Sequence, residues 1–283
     1  MCARLSDFLD RRRFLKGATL LVRRYFDHHV ARDGAALSYY LLFAMFPLLI
    51  FLNNLVAYWA LDLNTLLTQF AAVIPRDIVE LLRHYLSYVS RAASPAMMWF
   101  SLVFTVYFPY RAVNALFLSV RKAYDAGTPK RPLRHQLRVL LYTILLIATL
   151  FLTIAVSAVG RHALEFIANY IYLSNAVITL WSRLRFVGLG AVLFVMIALL
   201  YALALDERHM TRGIWPGVLA SLAAWIGLSM LFSLYVEHAA NYSVIYGSIG
   251  AIIVLLLWLY LSASMLIMGA EFNSVLLDIG CKQ

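Results

Sequence analysis

The 283-residue chain is 63% hydrophobic and 13% charged, whereas an ordinary soluble domain is about 45–50% apolar and about 25% charged. So few polar groups cannot clothe a water-soluble fold of this size, and hydrocarbon must be part of the solvent. The formal charge of +10 would suit nucleic acid, but the cations collect between apolar runs, in residues 1–33 and 120–138. Juxtamembrane positive charge is expected there, so nucleic acid is not the expected partner. The two cysteines, Cys2 and Cys281, stand at opposite ends in no metal or redox spacing. Cys2 follows Met1 with no apolar stretch or cleavage site before it, so neither a signal peptide nor a lipoprotein anchor is expected.

In chain order, residues 1–33 form a basic amphipathic segment. Phe14, Ala18, Leu21, Val22, Tyr25 and Phe26 make an apolar stripe beside Lys16, Arg23 and Arg24, a pattern suited to a helix lying at the membrane surface. A membrane domain follows over 34–276, with apolar blocks at about 35–60, 96–120, 139–159, 186–205, 214–236 and 249–270. Each is near the ~20 residues that a hydrocarbon core of about 30 Å requires. Residues 277–283 remain as a tail. The connection Leu61–Ser94 carries a second amphipathic pattern after Pro75, with Ile78, Leu81, Leu82, Tyr85 and Val89 on one face. Glu165–Trp181 is apolar but short and contains Asn169 and Asn175; we read it as an interfacial or re-entrant helix rather than a seventh crossing. The expected fold is therefore all-α: a polytopic membrane bundle of six transmembrane helices plus amphipathic interfacial helices.

Orientation follows from the cations. With the N-terminus inside, the inner segments hold seventeen Lys and Arg residues and the outer segments five. This positive-inside pattern predicts a multi-pass protein of the bacterial inner membrane with both termini cytoplasmic.

Arg111 is the most informative single residue. It precedes Val120 by nine positions, about 13 Å along a helix, so its Cα lies near the middle of the second span. A guanidinium at that depth costs about 2.5–3.5 kcal/mol and needs hydrogen-bond acceptors. It either snorkels to the inner headgroups or faces a polar cavity. Asn114 lies on the same helix face. Pro109 and, in the first span, Pro47 each free a backbone carbonyl, as a packing kink or as a broken helix lining a pathway. Asn53 and Asn54 follow Pro47. Glu271 closes the sixth span as an interfacial carboxylate, or as the partner of Arg111 or of an N-terminal arginine. Gly247 and Gly250 open that span and suit close helix packing. No HExxH, Walker or Rossmann motif and no Ser-His-Asp grouping is present, so no catalytic residue, metal or cofactor is expected, and the protein is not expected to be an enzyme.

Three stretches, DGAALSYYLLFAMFPLLIFL, IWPGVLASLAAWIGLSMLFSLYV and NYSVIYGSIGAIIVLLLWLYLSASMLIMGAEFNSVL, resemble the first, fifth and sixth spans of the YihY/BrkB family of bacterial inner-membrane proteins. The resemblance covers nearly the whole chain. It implies a six-helix membrane fold linked to envelope properties and to transport of lipids or lipopolysaccharide precursors. The family's ribonuclease label finds no counterpart in these residues. The expectation is a transporter or flippase-like protein for an anionic lipid or envelope precursor, with Arg111, Asn114, Asn53, Asn54 and Glu271 as candidate contacts and membrane lipids as partners. The alternative is a non-transporting scaffold that holds proteins of an envelope complex.

Overall fold

The structure, a computed structural model, describes residues 16–58, 80, 95–170, 175–205, 213–238 and 242–280. For some of these, Asn53, 154–170, 175–186 and 242–248 among them, it describes the backbone alone. Apart from Glu80, the amphipathic pattern expected in Leu61–Ser94 lies outside the described residues.

Among the described residues the fold is all-helical, with seven helices and six candidate membrane spans. A short helix, α1, covers 16–27. The long helices are α2 (Val30–Tyr58), α3 (Pro95–Ala123), α4 (Pro132–Tyr170), α5 (Asn175–Ala204), α6 (Trp215–His238) and α7 (Tyr242–Gly280). At 1.5 Å per residue the 24 residues of α6 span about 36 Å and the 39 residues of α7 about 58 Å. Each can cross a core of about 30 Å, and the longest extend well beyond it.

Helix boundaries fall where the backbone demands them. His29 (φ 56°) separates α1 from α2, and Asp125 (φ 51°) and Gly127 (φ 64°) turn the chain after α3; His, Asp and Gly are the residue types that tolerate this left-handed region. Proline opens α3 and α4, where its missing N–H would have had no partner. Pro47 and Pro109 lie inside unbroken helices, so neither span is discontinuous.

Glu165–Trp181 is not a helix of its own, contrary to the expectation from sequence. Residues 165–170 end α4 and 175–181 begin α5. Its described residues are the adjoining ends of two long helices.

Neighbours in sequence pack as neighbours in space, and α7 closes the ring against α2. α3 also touches α5 and α7 and so fills the middle. The main core gathers Val30, Phe117, Val120, Val139, Tyr201 and Ile267 near the end of the bundle where α2 begins and α3 and α7 finish. That end carries the basic connection between α3 and α4, and we refer to it as the basic end. Large apolar side chains such as Trp99, Leu137 and Leu231 are instead exposed on the flanks. Hydrocarbon chains, which need no hydrogen bonds, are the solvent such a surface suits.

Glycine sets the closest helix contacts. A Cβ on Gly217 would lie 2.6 Å from Asn273 Cβ and 2.7 Å from the Gly269 carbonyl oxygen. One on Gly269 would overlap the Ser221 hydroxyl, and one on Gly34 would sit 2.6 Å from Ser264 Oγ. These glycines let α6 and α2 approach α7, the small-residue packing that membrane helices favour. Of the two glycines expected to serve this role, Gly250 is buried and Gly247 lies outside the described side chains.

Candidate functional site

At the basic end, α7 buries Gly269, Glu271, Asn273 and Ser274 within about one and a half turns. Glu271 has 0% exposure. Its Oε2 is 3.3 Å from Arg24 Nη1, and its Oε1 is 2.5 Å from His28 Nδ1. An ionised carboxylate can only accept, so His28 Nδ1 carries the proton in this bond. Four residues apart, Arg24 and His28 lie one helical turn from each other and converge on one side chain.

Arg24 is 12% exposed and has more acceptors than Glu271 alone. Nη1 also donates to the Ala123 carbonyl (2.8 Å) and to Ser274 Oγ (2.9 Å). Nη2 reaches Asp278 (2.8 Å) and Asp125 (3.4 Å). One guanidinium therefore ties α1 to the end of α3 and to α7. Lys122 adds a bond from its ammonium to the His28 carbonyl and lies 3.9 Å from Asp33, which also accepts from the Ser119 hydroxyl at 3.1 Å and pairs with Arg32 at 3.4 Å. The cluster is charge-paired, buried at Glu271 and exposed at Asp125 and Asp278; it holds α1 in place.

Asn273 does the corresponding work for α6. Its amide donates to the Tyr124 hydroxyl (2.6 Å) and the Gly213 carbonyl (2.8 Å), and its oxygen accepts from Gly217 N (3.0 Å). Gly217 sits in the first turn of α6, where backbone N–H groups have no partner within the helix; Asn273 caps that helix from α7. Burial pushes the Tyr124 hydroxyl up to about 12, and the hydrogen bond from Asn273 opposes the shift. A second buried arginine, Arg121, donates to the carbonyls of Ala204 (3.1 Å), Ala126 (3.2 Å) and Gly127 (3.1 Å). It satisfies the last carbonyl of α5, the end of the helix dipole that favours a cation, and two carbonyls in the turn after α3.

The residues singled out in the sequence do not meet. Arg111 is exposed on the flank of α3. It donates to the Tyr40 hydroxyl at 3.3 Å and lies over the Tyr40 ring, 5.5 Å from its centroid. Asn114 pairs with His135 Nε2 at 2.9 Å, not with Arg111. The amide of Asn54 bonds back to the Ile50 carbonyl at 2.8 Å, and the Asn53 side chain lies outside those described. Glu271 is neither an exposed interfacial carboxylate nor the partner of Arg111; it takes the N-terminal arginine. The apolar stripe in the sequence runs through Val22 and Phe26, which puts Arg24 on the polar face. In the structure Leu21, Arg24, Tyr25 and His28 turn inward while Val22 and Phe26 face out. The available signal was the Arg24/His28 spacing beside Gly17, which rests against Ile279 of α7. Asn273, two residues beyond Glu271, carries no sequence signal of its capping role.

An open cleft of about 610 Å³ lies between α3 and α4, lined chiefly by Tyr107, Tyr110, Leu133, Gln136, Leu137 and Leu140. None of the candidate residues lines it, although Tyr107 lies one turn before Arg111 on the same helix.

The model of the virulence factor BrkB family matches residues 21–279, from α1 through the Glu271 cluster to the end of α7. The chain belongs to the BrkB family. It is 30% identical over 259 residues to the ribonuclease-like protein YfkH of Bacillus subtilis, covering 90% of this chain and 93% of YfkH. UPF0761 membrane proteins of Alcanivorax borkumensis and Xanthomonas oryzae pv. oryzae are 25% and 24% identical over 89% and 94% of this chain. The chain spans only 58% and 61% of those two relatives. No solved structure matches it. This BrkB protein is thus a membrane protein, and the match includes both Arg24 and Glu271.

Proposed function

We propose that this BrkB protein is a transporter or flippase-like protein of the bacterial inner membrane that handles an anionic lipid or envelope precursor. One observation carries the reading: a guanidinium, Arg111, is exposed on the flank of a membrane-spanning helix, held by an aromatic hydroxyl instead of a carboxylate. A cation at this depth is costly unless something anionic or polar meets it, and Tyr40 leaves most of its donors for another ligand. In this reading the basic end faces the cytoplasm, in keeping with the seventeen-to-five distribution of cations, and the clamp on Glu271 keeps that end closed while the flank does the work. The test is lipid movement: full-length protein in liposomes is expected to translocate a fluorescent anionic phospholipid, and Arg111→Ala to slow it at least tenfold. Vesicles with wild-type protein that move no lipid would refute the proposal.

A second reading, a scaffold for an envelope complex, draws support from the charge-paired cluster around Glu271. It predicts stable partner proteins that co-purify with the full chain and no lipid movement by the protein alone.

A further inference from the structure

We infer that the exposed face of α2 and α3 around Arg111 binds a phosphodiester lipid with one negative charge and an uncharged headgroup. The phosphate lies on Arg111 and Tyr40, and one acyl chain lies along a row of aromatic rings. The inference rests on the proposed function and deepens it, because it decides between singly and multiply charged anions and names the surface that receives the lipid.

Arg111 stands at the middle of the span Met98–Ala123, and Tyr40 at the middle of Val30–Phe51. The guanidinium donates one N–H to the Tyr40 hydroxyl at 3.3 Å and lies 5.5 Å from the centre of that ring. Its remaining N–H groups have no acceptor among the described residues. The Tyr40 hydroxyl accepts that bond and keeps its own proton to donate. An exposed fork of N–H groups beside a hydroxyl donor suits the oxygens of a phosphate.

Neither helix offers these donors an acid. α3 contains no Asp or Glu. The one acid of α2, Asp33, lies two turns before Tyr40 and is engaged by Ser119, Arg32 and Lys122. One cation without a counter-charge at mid-span therefore sets the charge of the ligand. A singly charged phosphodiester neutralises it. A second phosphate would bring an unpaired negative charge to the same depth, and the ammonium of a zwitterionic lipid would find no carboxylate. A fatty acid escapes the penalty by taking up a proton, whereas a phosphodiester keeps its charge.

From this point a row of rings leads away from the basic end. Tyr39 lies 5.7 Å from Tyr40 and 4.6 Å from Phe43. Phe43 crosses to Phe108 on α3 at 5.8 Å, and Phe104 and Phe100 follow at 5.6 and 4.4 Å. Between Arg111 and Phe100 the row runs about 16 Å along α3, and Tyr39, Phe43 and Phe100 are exposed. Inside a bilayer a chain gains no hydrophobic energy against such rings, because lipid tails are as apolar as leucine. The rings offer contact and shape to one chain, and the charge selects the lipid.

The test uses the full chain in phosphatidylcholine nanodiscs with a small fraction of phosphatidylglycerol carrying a photoactivatable acyl chain, followed by peptide mass spectrometry. We expect adducts concentrated in residues 39–43 and 100–111. Unlabelled phosphatidylglycerol and phosphatidylinositol should compete equally. Phosphatidylinositol bisphosphate, which differs from the latter only in added charge, and oleate should each compete at least about tenfold less. Arg111→Gln removes the charged donor and should cut these adducts at least about tenfold. Arg111→Lys keeps the charge without the planar fork and should fall between the two. Arg111 is exposed, so the unfolding midpoint of both variants should match wild type, and lost adducts then read as lost binding. Adducts spread equally over the exposed flank of α6 around Met230 and Leu231, or equal competition by the bisphosphate or oleate, would overturn the inference. Lipid movement is measured separately. Movement that Arg111→Gln slows, with equal competition by the bisphosphate, would refute the charge selection and leave the proposed function standing. Selective adducts without movement would retain the site and refute the transport reading.

Discussion

Arg24→Gln tests the charge cluster at the basic end. The Glu271 carboxylate is enclosed, with Arg24 at 3.3 Å and His28 at 2.5 Å as its partners. Breaking a buried ion pair by removing one partner costs about 3–5 kcal/mol, mainly because the remaining charge is left uncompensated. His28 still donates, so the low end is expected, ~3 kcal/mol. For a protein of this size that corresponds to a loss of about 6–12 °C in the unfolding midpoint. In a Glu271→Gln background no charge is stranded, and Arg24→Gln then removes chiefly the bonds to Ala123 and Ser274, worth ~1 kcal/mol. The coupling between the two positions is thus expected to be about 2 kcal/mol. The four proteins, wild type, two single variants and the double, are compared in one detergent at pH 7 by the loss of helical circular dichroism on heating. If Arg24→Gln lowers the midpoint equally in both backgrounds, Arg24 does not compensate Glu271 and the argument fails.

Asn273→Ala strands the first-turn N–H of α6 and removes bonds to Tyr124 and Gly213, and should cost about 2–4 kcal/mol in the same assay; a loss under 0.5 kcal/mol would exclude the cross-helix cap. Gly217→Ala should destabilise by about 1–3 kcal/mol because the neighbouring backbone cannot yield. Gly227→Ala, in the same helix with open space around it, should be neutral or stabilising by up to about 1 kcal/mol; equal effects at the two positions would refute the packing argument. Tyr124 links stability to pH. Its folded value of about 12 lies above the ordinary 10.0, so its contribution is complete below pH 10 and is lost as pH rises through 12. The two-unit gap corresponds to at most ~2.7 kcal/mol. Tyr124→Phe should flatten the fall in stability between pH 10 and 12 relative to wild type, and parallel pH profiles would count against burial as the cause.

Composition and hydropathy alone determined the class, the number of spans and the distribution of cations, because these depend on how many apolar residues stand in a row and not on what they touch. Six runs near twenty residues became six helices, and Pro47 and Pro109 fell within two of them. The sequence could not say which face of a helix turns inward at a polar position. Arg24 and Arg23 are adjacent and chemically identical, yet one is clamped between three helices while the other makes an exposed pair with Asp27. A rotation of about 100° per residue separates those two outcomes, and only packing against α7 selects it. Glu271 likewise has the same neighbours in sequence whether it meets solvent, Arg111 or Arg24. Bringing together partners 247 and 243 residues apart is a property of the closed ring of helices, and it moved the buried charge from the middle of the second span, where sequence had directed attention, to the basic end. Arg111 went the other way, out to the flank, because the inward positions of α3 are filled by Ala112, Val113, Leu116 and Phe117 and leave a guanidinium only the surface.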